Sequence, residues 1–229
     1  DCNGVLLYSS AKNARSKSWQ FEDRLYILDG KKMLVFYETT IGGVTTYTVE
    51  PVENNAYIPT ITISKAPNGG GTPYEDLNLL TPAFTELFTG VADVKEYHLS
   101  FTGLDNVTPL AWTLNAQGTW VQTTAFTFNR TTGVVTFTNA PGVSPITGED
   151  NVKITAYRTI SGYANKINKC TIGILYGVNG ATDRLFVSGN PDQINYDWYS
   201  GFNDPTYFAD TSYSLLGTSG SAVIGYSII

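Results

Sequence analysis

The sequence predicts an all-β protein, and three observations carry that prediction. The 229 residues hold 15 Tyr, 11 Phe and 4 Trp, and aromatic side chains, like β-branched ones, favour the pleated, half-buried surface of a strand. The 22 Gly and 10 Pro cut the chain into short apolar runs separated by turn residues, which is the pattern of strands rather than helices. Helix signals are weak. The best candidate, Tyr74–Phe88, contains Pro82, which breaks or restarts a helix. Ser161–Lys169 supplies a turn or two.

Three zones follow in order. Residues 1–50 read as a small antiparallel meander. Its strands are Val5–Tyr8, Ser18–Phe21, Arg24–Leu28, Met33–Tyr37 and Val44–Val49. Asp29-Gly30 stands between two of these runs, and that pair tolerates the positive φ of a tight turn. Residues 51–160 read as a β-sandwich of short strands: Tyr57–Ile63, Glu96–Phe101, Ala111–Leu114, Thr119–Asn129, Val134–Thr138 and Val152–Tyr157. The clearest element is a hairpin. Alternation puts Phe126 and Phe128 on one face of its first strand, and Val135 and Phe137 on one face of its second. Residues 161–229 offer Lys169–Tyr176, Arg184–Ser188 and Asp197–Ser200, then a closing apolar run, Ala222–Ile229. The outer zones echo each other: Glu22-Asp23-Arg24-Leu25-Tyr26-Ile27 matches Thr182-Asp183-Arg184-Leu185-Phe186-Val187. Such an echo fits repeated sheet units interrupted by the middle zone.

Composition excludes several classes. Hydrophobic residues make up 42% of the chain, enough for a core, and low hydrophobicity with high charge is the mark of disorder. Charged residues make up 15%, against ~25% in an ordinary soluble domain. A net charge of −6 argues against a nucleic-acid groove built on net positive charge. No run approaches the ~18 apolar residues of a membrane helix. The start, Asp1-Cys2-Asn3-Gly4, has neither Met nor a signal-peptide pattern, so a piece cut from a longer chain is the expectation. Cys2 and Cys170 are too few for a disulfide scaffold and are expected as buried thiols.

His98 is the single histidine, and on a strand Glu96, His98 and Ser100 share a face. That alignment arises easily by chance, and a surface histidine is expected. Gly69-Gly70-Gly71 runs into Thr72-Pro73 rather than a helix start, so it is no phosphate loop. Glu75-Asp76 and Glu149-Asp150 are adjacent pairs, whereas glycosidase acids face each other across a cleft at ~5–9.5 Å. Asp192, Asp197, Asp204 and Asp210 read as turn caps rather than calcium ligands. No catalytic residue, cofactor or metal is expected. Trp198, Tyr199, Tyr207, Phe208 and Tyr213 serve either as core and subunit contact or as a sugar-stacking platform. Trp198, Tyr199, Tyr207 and Phe208 are singled out as an interaction surface.

Three stretches add a resemblance. Asp183–Pro191, Tyr196–Gly201 and Asn203–Phe208 resemble a blade of β-propeller tail components of tailed bacteriophages, similar to packaged-DNA stabilisation or tail-nozzle proteins. Arg24–Gly30 resembles an earlier blade of the same proteins. Asn78–Pro82, and the hairpin Phe126–Phe137 ending in Asn139-Ala140-Pro141, resemble the β-domain inserted in such proteins from phages of Gram-positive gut bacteria. The resemblance covers most of the chain. It implies partial β-propeller blades at residues 1–50 and 161–229 with an inserted β-sandwich at 51–160. Two or three blades cannot close a propeller, which needs about 4–8.

The resemblance also implies a non-catalytic structural component of a phage tail or neck, made in the bacterial host cytoplasm and located in the virion tail. Its partners would be portal, adaptor or other tail proteins, with a homo-oligomeric ring in the full-length protein, non-specific contact with packaged DNA and no membrane. The alternative from the aromatic and aspartate content is a cell-surface glycan-binding module. A hydrolase ranks third.

Overall fold

In order along the chain the strands are β1 (Lys17–Phe21), β2 (Arg24–Leu28), β3 (Met33–Ile41), β4 (Val44–Pro51), β5 (Thr60–Lys65), β6 (Thr72–Pro73), β7 (Ala83–Phe88), β8 (Glu96–His98), β9 (Leu110–Leu114), β10 (Trp120–Thr123), β11 (Phe126–Asn129), β12 (Val134–Phe137) and β13 (Val152–Tyr157). The one α-helix among the described residues, α1 (Tyr163–Asn168), precedes β14 (Ile172–Tyr176), β15 (Arg184–Ser188), β16 (Tyr196–Tyr199) and β17 (Tyr213–Leu215). This is a computed structural model, and it describes residues 6–11, 16–177 and 183–228. Cys2, Val5, Thr182 and Ile229 lie outside the described residues. The fold is all-β, in several open sheets. The chain divides into two units, one of residues 1–57, 78–81 and 161–229, the other of 58–77 and 82–160.

The first unit holds two four-stranded antiparallel sheets, each with its strands in sequence order: β1-β2-β3-β4 and β14-β15-β16-β17. The turn between β2 and β3 forms as Asp29-Gly30 predicts. Asp29 Oδ1 accepts the N–H groups of Lys31 and Lys32, both at 2.7 Å, and Gly30 takes a φ of 74°. Alternation then aims Tyr26 and Leu28 of β2, and Met33 and Val35 of β3, into one core. Leu185 and Val187 of β15 and Trp198 of β16 enter the same core from the other sheet. The two sheets adjoin along their first strands, β1 and β14. There a Cβ on Gly173 would stand 3.0 Å from the Trp19 indole and 2.6 Å from the Phe186 carbonyl oxygen, so only glycine admits the approach.

The echo between the outer zones has a twist in the structure. Both copies open the second strand of a four-stranded sheet, but they face opposite ways. Tyr26 points into the core, whereas its match Phe186 points out and Leu185 points in. A one-residue shift reverses every side chain in a strand, so the matched letters are not matched positions.

The second unit contains a six-stranded sheet, order β10-β9-β13-β7-β5-β6, and a three-stranded sheet, β11-β12-β8. Its core draws Phe84, Phe88, Val152 and Ile154 from the first and Tyr97, Val135 and Phe137 from the second. The Phe126 hairpin pairs Phe126 with Phe137 and Phe128 with Val135, so all four share one face.

Four expectations are corrected. Tyr74–Phe88 is not helix: it ends in β7, which pairs with β13 on one side and β5 on the other. Burial decides this, since Ala83, Phe84, Thr85, Glu86 and Phe88 are all buried. Thr119–Asn129 is two strands, β10 and β11, which break at Thr124-Ala125 and join different sheets. Leu6–Tyr8 and Ala222–Ile228 form no strand. Among the described residues no ladder forms beside them: Val223 makes a lone backbone bond, its N–H donating to the Ile194 carbonyl at 2.9 Å, and Ile224 is 91% exposed. Conversely β17, whose apolar content is thin, forms because Trp198 pairs with Tyr213 and Tyr196 with Leu215.

Candidate functional site

The aromatic residues of the last zone separate into two groups by strand parity. Trp198 and Phe208 are buried in the core of the first unit, which leaves neither ring a surface to offer. Tyr199 points the other way, onto the outward face of the β14–β17 sheet, and Tyr207 is half-buried with its ring 5.1 Å from that of Tyr57. On the outward face the rings form a row. Phe186 lies 6.4 Å from Tyr176 and 5.9 Å from Tyr199. Arg184 stacks its guanidinium 3.6 Å from the Phe202 ring centre and 5.1 Å from that of Tyr199. Its Nε is buried with no hydrogen-bond partner among the described residues. Phe202 is 66% exposed and Tyr176 45%. Aromatic rings around an arginine are the residue types that dominate binding energy at protein interfaces.

Sequence reasoning missed this row because Arg184, Tyr176 and Phe202 are scattered. Only the register of β14, β15 and β16 brings them together. A second group was also missed. On the six-stranded sheet Lys153 stands opposite Trp112, and its ammonium lies 4.4 Å from the Trp112 ring centre and 5.1 Å from that of Trp120. Burial pushes its pKa below the ordinary lysine value. Cation–π attraction of this kind contributes roughly 0.5–2 kcal/mol.

Several of the carboxylates are engaged within the fold, whereas the histidine is exposed. His98 and Glu96 are exposed on β8, while Ser100 turns to a buried pair, accepting from Lys65 Nζ at 2.8 Å and donating its N–H to Glu86 Oε1 at 3.0 Å. Asp150 accepts from Ser64 N–H and the Thr89 hydroxyl, both at 2.8 Å. Asp204 caps its turn by accepting Thr206 N–H at 2.8 Å, and Asp192 pairs with Lys169. Asp210 accepts from the Tyr163 hydroxyl at 3.1 Å. Among the described residues no three His, Cys, Asp or Glu side chains converge as a metal site would require. Cys170 is buried, which pushes its thiol up to about 12, and it donates to the Lys166 carbonyl at 3.2 Å.

Asp197 is the most informative acid. Burial raises its pKa, and the hydroxyl of Tyr226, donating to Oδ1, opposes that only in part. The folded carboxyl therefore holds a proton at pH values where the unfolded chain has released it. The contribution of this group to stability falls as pH rises from near the ordinary 3.8 through the raised folded value, and is level on either side. Asp197→Asn is expected to be more stable than the wild type at pH 7. Thermal melts at falling pH should show that advantage shrink and vanish below the ordinary aspartate range.

Comparisons with protein-family models, curated proteins and solved structures gave no match.

Proposed function

We propose that the chain is a non-catalytic structural component of a phage tail or neck, of the nozzle or stabilisation type, acting through subunit contacts. In this reading the two four-stranded sheets are partial propeller blades and the second unit is an inserted β-sandwich. The supporting observation is the arrangement of the first unit. Two sequential antiparallel meanders adjoin along their first strands, as blades do around a propeller axis, and each sets apolar or aromatic side chains on its outward face, Leu25, Phe36 and Val49 on one and Tyr176, Phe186 and Tyr199 on the other. The two-sheet core of the second unit supports the sandwich. Portal, adaptor or tail proteins of the virion are the partners. Immunogold electron microscopy of virions of the encoding phage tests the reading: label on the tail or neck supports it, and unlabelled particles sink it.

One observation favours a second reading, a glycan-binding module: the half-buried Trp112 and Trp120 beside Lys153, flat apolar rings next to a polar group. A glycan array probed with the chain and with Trp112→Ala separates the two. Binding lost in the variant would favour the module.

A further inference from the structure

We infer that the first unit binds a second copy of this chain head to tail, Arg184 on the outward face of one copy's β14–β17 sheet meeting Glu38 on the outward face of the next copy's β1–β4 sheet. The inference rests on the blade reading above and gives it a partner and a contact. Its first support is the chemistry of the two faces. Outward on the β1–β4 sheet, Leu25, Phe36 and Val49 stand in register across three strands, and Glu38 stands opposite Tyr47 on the same side. The Phe36 and Tyr47 rings stack 6.1 Å apart at 7°. Tyr47 is exposed, while Leu25, Phe36 and Val49 are half-buried. Glu38 is exposed and is in no ion pair among the described residues. The other face is its complement: a row of rings around one guanidinium, which also lacks an ion pair there. Glu38 is thus the one charged side chain on its face among the described residues, and Arg184 offers the opposite sign on the other, where Asp197 also faces outward but is half-buried and takes the Tyr226 hydroxyl.

The second support is position. Arg184 opens β15, the second strand of its sheet. Glu38 follows Tyr37, the residue beside Arg24, which opens the second strand of the other sheet. Both charges therefore lie at the same end of their sheets. Within the unit the sheets already pack with first strand beside first strand. Repeating that packing from one copy to the next keeps like ends together and brings Arg184 to Glu38. A guanidinium held flat by Phe202 and Tyr199 is pre-oriented for a carboxylate, so little side-chain freedom is lost on pairing. A head-to-tail contact either closes a ring or grows a filament.

The test is sedimentation velocity of the full chain up to its solubility limit. Assembly that rises with concentration is expected. Arg184→Glu and Glu38→Arg should each weaken it about 30-fold or more, the effect of unpairing a desolvated charge at an interface. Mixing the two single variants should restore assembly with the two kinds of copy alternating, since both contacts between unlike copies carry opposite charges. That readout also guards against a variant that merely misfolds, because a misfolded one could not be rescued by mixing. A wild type that stays monomeric overturns the inference. So does association that survives both single variants, although that result leaves the tail-component reading standing, to be decided by the immunogold labelling.

Discussion

Glu86→Ala is expected to destabilise the second unit by about 3–5 kcal/mol, the loss that follows when one partner of a buried ion pair is removed. Lys65 and Glu86 are 2% and 0% exposed, with Nζ and Oε2 2.6 Å apart. Lys65 reaches the interior because Ser64 adopts a φ of 51° where the β5–β7 register slips, and the local bend turns the next side chain inward. Glu86 sits between Phe84 and Phe88 on the core-facing side of β7, and the ammonium lies 5.2 Å from the Phe88 ring centre. Alanine at 86 leaves that ammonium in an apolar enclosure with the Ser100 hydroxyl as its remaining hydrogen-bond partner. The double variant Lys65→Met/Glu86→Leu should recover most of the loss, because two apolar side chains of similar volume need no partner. Urea unfolding of the three proteins checks this. Equal midpoints for wild type and Glu86→Ala would show that the pair contributes nothing.

Asn78→Ala is expected to cost the first unit about 3–5 kcal/mol, since buried groups left without partners lose roughly 1–3 kcal/mol each, not fully additively. Asn78 is 1% exposed and uses both ends of its amide. Nδ2 donates to the carbonyls of Tyr57 and Thr206, both at 2.8 Å. Oδ1 accepts the N–H groups of Leu80 and Phe208, both at 3.1 Å. One side chain thus holds three separate stretches of chain, and Leu79 and Leu80 enter the core beside it. Asn78→Asp should be as damaging. It keeps the acceptor but sets an oxygen against two carbonyls. Guanidinium unfolding read by circular dichroism measures both variants. If Asn78→Ala unfolds at the wild-type midpoint, this pin is dispensable.

Local signals made much of the fold legible. Asp29-Gly30 with its flanking apolar runs, and the alternating Phe126 hairpin, describe structure within a dozen or so residues, where turn chemistry and pleat decide the outcome. β7 was illegible for the opposite reason. Its residues read as a broken helix until β5 and β13 flank it on both sides. Lys65 and Glu86 looked like surface charges, because nothing local announces that a bulge will turn one inward to meet the other. Trp198 and Phe208 were visible as important aromatics, but which face of a strand is buried depends on what packs there. For the same reason the Arg184 row and the Lys153 cluster were beyond reach. They are cross-strand sets fixed by register.

The division of the chain also governs events during synthesis. Everything the second unit needs has been made once residue 160 leaves the ribosome. The β1–β4 sheet is made first, yet Leu185, Val187 and Trp198, which complete its core, are made last. At about 5–20 residues per second, some 10–30 s separate the two halves of that core. Through that interval Tyr26, Leu28, Met33 and Val35 have no covering sheet of their own chain. Aggregation during expression should therefore trace to the first fifty residues rather than to the second unit, and slowing translation should worsen it.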